Sequence, residues 1–134
     1  MGVPTPLWAA LEAVEDWRRA NKGHTKGWCL RACRSALRKA GMRLPADGLA
    51  INCGRKLAAD PAKWGWRLVG RSGRLLPTDQ PSLVFFDRCG ELDDGRTAGH
   101  IALFKPSTNR LIGNERYDMT AFWLSRIVYI FLPA

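Results

Sequence analysis

Cys29 and His100 are the residue types that together carry out nucleophilic acyl transfer. A thiol attacks a carbonyl as thiolate, so it needs surroundings that favour negative charge. Cys29 follows the turn-forming stretch NKGHTKG and opens an apolar-periodic segment, which places it in the first turn of a helix. Unpaired backbone N–H groups and the positive dipole end favour an anion there, and Lys26, Arg31 and Arg34 add positive charge nearby. The same N–H groups can hold the oxyanion of a tetrahedral intermediate. His100 follows Ala98-Gly99 and opens the run Ile101-Ala102-Leu103-Phe104, so its imidazole is expected at the start of a strand, held without being wholly buried. Its ordinary pKa suits it to take the thiol proton and return it to a leaving amine. His24, in the loop before Cys29, is expected at the surface or beside a substrate.

The other cysteines, Cys33, Cys53 and Cys89, are expected to be small buried side chains. Cys29 and Cys33 lie one helical turn apart, no CxxC pair occurs, and the chain has only two histidines, so no metal site and no cofactor is expected. Among the six tryptophans, Trp8 and Trp17 fit the packed stripe of a first helix. Trp28, beside the nucleophile, and Trp64, in the least regular part of the chain, are the candidates for lining a substrate groove.

The elements that must position these groups can be read from periodicity. Leu7, Trp8, Leu11 and Val14 recur at helical spacing over residues 6 to 20, and a second helix runs from about Trp28 to Ala40 with Gly41 as its stop. Asp47 is placed to cap a short helix through about Leu57, and Trp64 to Val69 suggests a short strand or packed loop. Strands are expected at Leu83 to Phe86, His100 to Phe104, Arg110 to about Asn114 and Arg126 to Leu132, with a turn around ERYDMT. Helices first and strands afterwards give an α+β fold with N-terminal helices packed on a largely antiparallel sheet. The length of 134 residues suits one domain, with residues 1–26 as N-terminal helix and loop ahead of 27–134, the part that carries the family-like motifs described below.

Hydrophobic residues at 46% and charged residues at 25% place the chain among ordinary globular proteins rather than disordered ones. Its net charge of +9 implies attraction to an anionic partner, whether nucleic acid, an anionic membrane surface or a wall polymer. No segment approaches the roughly 20 apolar residues of a membrane span. Glu12, Glu15 and Asp16 interrupt the apolar stretch that a secretory signal would need, so the chain is expected to be made without one.

The segments GWCLRACRSALRKAG (27–41), PSLVFFD (81–87) and GHIALF (99–104) together resemble the CHAP and NlpC/P60 group of papain-like cysteine amidohydrolases. The resemblance implies a papain-like fold, a helix-borne Cys29, a strand-borne His100 and a third polar residue on the next strand. Where CHAP members carry a Glu the chain has Ile112, so Asn114 is the match for the residue that orients the imidazole and Glu115 the fallback. It also implies a peptidoglycan hydrolase, cutting a stem peptide or the sugar–peptide amide. Such an enzyme would be virion-associated, as in a phage tail, or carried to the wall by other delivery machinery. A non-catalytic particle component of the same fold is the alternative. Nucleic acid is not expected as partner, because the basic residues between Arg18 and Arg43 come without a recognition motif.

Overall fold

The computed structural model describes residues 5–22, 28–72 and 76–134. His24 and Lys26 lie outside them. Helix α1 spans Pro6–Ala20, with Thr5 accepting the Leu7 N–H at 3.0 Å as its cap and proline at its first turn. Helix α2 spans Cys29–Lys39, and the chain turns off it at Gly41, whose φ is +79°. Helix α3 spans Ala50–Ala59, three residues beyond Asp47. Asp47 does not cap it. Its carboxylate accepts the Leu49 N–H at 2.9 Å, closing a turn before the helix, while the Ile51 N–H goes to the Ala98 carbonyl at 2.9 Å.

A short 3₁₀ turn, Pro61–Trp64, leads into β1 (Trp66–Arg71). The remaining strands are β2 (Ser82–Phe86), β3 (His100–Lys105), β4 (Arg110–Ile112), β5 (Arg116–Asp118) and β6 (Ile127–Pro133), with a one-turn helix α4 at Ala121–Leu124. They form one antiparallel sheet in the order β1-β6-β2-β3-β4-β5, so the fold is α+β with helices on an antiparallel sheet. Strand β2 is buried on both faces, which is why it reads as an uninterrupted apolar run.

Alternation divides the sheet into two faces. Leu83, Phe85, Ile101, Leu103, Ile112 and Phe131 pack against α1, α2 and α3 through Leu7, Val14, Cys33, Leu37, Cys53 and Leu57. Each such side chain contributes roughly 1.5–3 kcal/mol by leaving water. The first helix contributes Leu7, Ala10, Leu11 and Val14 to this core. Val84, Phe86, Ala102, Phe104, Leu111 and Ile130 face the other way, where Tyr117, Met119 and Trp123 cover them.

Two expectations change at the end of the sheet. Strand β4 stops at Ile112, and Gly113, Asn114 and Glu115 form the connection of a tight hairpin to β5, a strand absent from the sequence reading. The hairpin is closed by the Gly113 N–H donating to the Glu115 carbonyl at 2.9 Å. Among the described residues, no helix is long and apolar enough to cross a membrane.

Candidate active site

Cys29 is the first residue of α2, and Trp28 is the residue in the N-cap position. Strand β3 begins at His100. What joins the two elements is Ile101. Its carbonyl accepts a contact from the Cys33 thiol at 3.6 Å, and its N–H favours the charged form of Cys29. A strand residue sends its N–H and carbonyl to the same side, and β4 has already ended where it would have met Ile101. The Cys33 thiol of α2 occupies that vacated edge. Gly113 lies beside this contact: a Cβ there would be 3.3 Å from the Ile101 oxygen and 3.6 Å from the Cys33 sulfur, tight against the first and in ordinary contact with the second.

His100 is set by what precedes it. Gly99 has a φ of +74°, and a Cβ on it would come within 2.6 Å of the Phe86 oxygen and 2.8 Å of the Ile51 Cβ. The Gly99 N–H donates to the Cys89 carbonyl at 3.0 Å, which ties the loop before β3 to the end of β2. By alternation the imidazole shares the face of Ala102 and Phe104, where it meets Trp123 at 4.8 Å, Phe86 at 5.8 Å and Tyr117 at 5.8 Å between ring centroids. Only 8% of the residue is exposed, so it is more deeply enclosed than its place at a strand start suggested.

Comparison with protein families, with curated proteins and with solved structures returns no match. The site is therefore read from its own chemistry.

Burial governs both titrating groups. It raises the Cys29 thiol above its ordinary value, although the N–H groups of Ile101, Leu30 and Cys29 itself pull the other way. It lowers the His100 imidazole to about 4. The resting pair is thus a neutral thiol and a neutral imidazole, not the thiolate expected at a helix start. Nor do the neighbouring arginines correct this. Arg31 lies over the Trp28 ring at 4.4 Å, and Arg34 donates to the carbonyls of Leu44 and Pro45 at 3.2 and 2.9 Å.

His100 Nε2 is buried with no hydrogen-bond partner among the described residues, so it does not bond the Cys29 sulfur in this state. An unsatisfied buried polar atom costs about 1–3 kcal/mol. Asn114 is 5% exposed at the hairpin connection, on a chain segment that has left the strand. The regular β3–β4 register, if continued, would set Glu115 rather than Asn114 opposite His100, and the hairpin breaks that register. Trp28 packs edge-on against Trp17 at 6.1 Å, whereas Trp64 stands beside Arg43 and Lys63, with Met42 and Arg38, at the far end of α2 from Cys29.

All four cysteines are free thiols. Cys33 and Cys53 are buried as expected, but Cys89 is only half-buried, and its thiol is raised to about 11 mainly by burial. Sequence reasoning missed the enclosure of His100. Tyr117 and Trp123 reach it through β5 and α4, elements of three and four residues that carry little periodic signal.

Proposed function

We propose that this protein is a papain-like cysteine amidohydrolase of the CHAP and NlpC/P60 type, acting on bacterial peptidoglycan. The observation that carries the reading is the juxtaposition of Cys29 at a helix start with the backbone of β3 one residue beyond His100, whose Nε2 is buried and unpartnered. Cys29 packs on the α2 side of the sheet and the imidazole rests on the opposite face, so in the proposed reaction the imidazole leaves its aromatic enclosure and swings past the start of β3 toward the sulfur. Nε2 takes the thiol proton as sulfur attacks the amide carbonyl. The N–H groups of the first turn of α2 face the developing oxyanion. Collapse breaks the C–N bond, and the imidazolium gives its proton to the leaving amine. Water, deprotonated by His100, then hydrolyses the thioester. Asn114 serves as the residue that orients the imidazole, and Trp28 as a wall of the substrate groove. Delivery to the wall by a phage particle or other machinery belongs to the same proposal.

The test is product analysis by mass spectrometry after incubating purified muropeptides with wild-type protein and with Cys29→Ala. A new peptide amine or a freed lactyl carboxylate, absent with Cys29→Ala, supports the reading and names the bond. Intact muropeptides in both samples would overturn it. One observation favours a second reading, a particle component with a silent site: the resting pair is uncharged and His100 is covered by Trp123. Failure of a thiol probe to label Cys29 in the folded protein at near-neutral pH would support that alternative.

A further inference from the structure

The outer face of α2 carries a groove of about 700 Å³ lined by Trp28, Arg31, Arg34, Ser35, Arg38 and Lys39. A second hollow of about 250 Å³ shares Arg34 and Arg38 with it and continues to Arg43 and Trp64. At about 1.5 Å of rise per residue, Arg31 and Arg38 are set about 10 Å apart along one side of the helix. The one acidic group in the larger groove, Asp47, is engaged by Lys56 at 3.0 Å. Arg34 spends its hydrogen bonds on the carbonyls of Leu44, Pro45 and Asp47, shaping the groove wall while keeping its charge. Arg31, Arg38 and Lys39 make no ion pair among the described residues.

We propose that this face of α2 binds a linear phosphodiester polymer that carries no bases. Guanidinium groups spaced along a helix suit successive phosphates, which they grip by forked hydrogen bonds. What argues against a single-stranded nucleic acid is the state of the aromatic rings at either end. Trp28 is packed against Trp17 and covered by Arg31, while Arg43 and Lys63 both lie over Trp64. A single-strand platform needs free aromatic faces on which bases stack, and these are taken by cations. The groove reads charge and spacing instead.

The experiment measures binding of fluorescent poly(glycerol phosphate), and of an oligonucleotide of matched charge in single-stranded and in duplex form, across a salt series. Cys29→Ala protein is used throughout, so the result does not depend on whether Cys29 is a nucleophile. Binding of poly(glycerol phosphate) is expected, weakening at least about tenfold when Arg31, Arg38 and Lys39 are all changed to alanine, with the salt slope reduced by about 2. Because Arg31 also covers Trp28 at the start of α2, the double variant Arg38→Ala/Lys39→Ala is measured alongside and is expected to lose part of the same affinity. No binding by the parent protein, unchanged binding in both variants, or tighter binding of the oligonucleotide than of the polymer would each overturn the proposal.

Discussion

The Cys33 thiol of α2 donates to the carbonyl of Ile101, the residue immediately after His100 in β3, at 3.6 Å. This contact ties α2, one turn beyond Cys29, to the start of the strand that carries His100. It uses a carbonyl that β4, which ends at Ile112, does not reach.

Neutrality of the resting pair fixes how the thiol responds to pH. With Cys29 raised and His100 lowered, alkylation of Cys29 should accelerate roughly tenfold per unit between about pH 7 and 9. Rates followed by peptide mapping after iodoacetamide treatment check this. A rate that is flat from about pH 5 to 8 is the signature of a thiolate–imidazolium pair, and would contradict the burial argument.

Burial of a neutral imidazole also makes the fold acid-sensitive. The unfolded chain protonates His100 near 6.5, whereas the folded chain resists until about 4. Between these values the unfolded state binds more protons, so stability is fully present above about 6.5 and declines as pH falls toward 4. Up to about 3 kcal/mol is lost on this account. Urea unfolding of wild type and His100→Gln at both ends of that window should show a smaller acid loss in the variant; equal losses would count against it.

Trp123 is the ring nearest His100, and α4 holds it there while exposing Phe122 (48%) and Leu124 (51%). Trp123→Ala should admit water and move the imidazole pKa up from about 4, by at least about one unit, as burial is its cause. NMR titration of the His100 ring protons measures the shift. An unmoved pKa would show that Phe86 and Tyr117 suffice to enclose it.

Gly99→Ala is expected to cost more than about 3 kcal/mol, since a Cβ would strike backbone and an Ile51 side chain as well as adopt positive φ. Gly41→Ala, also at positive φ but with open space around it, should cost only about 1–2 kcal/mol. Denaturant unfolding of both variants tests the distinction; similar losses would mean that the close packing ahead of His100 is easily relieved.

How much of this was legible in the sequence follows from which forces act locally. Helices α1 and α2 and strands β2, β3 and β6 are long enough for apolar period to declare them, and with them the ends that carry Cys29 and His100. Strand β5 was hidden because Arg116, Tyr117 and Asp118 are polar or half-buried edge residues in a three-residue element. The apolar pattern carries β4 on to Asn114, but the chain leaves the strand at Ile112 and turns through Gly113, Asn114 and Glu115 into a three-residue β5 too short to show a period. Thiol and imidazole protonation is set beyond local pattern as well. Helix position suggested a thiolate, and tertiary burial reversed it.

The pairing of Cys29 with His100 is tested most directly by turnover of purified cell walls or muropeptides by the Cys29→Ala and His100→Ala variants, each checked for folding. Losses of at least about a thousandfold in both are expected where nucleophile and base act as one unit. Undiminished turnover in either folded variant would contradict the proposed site.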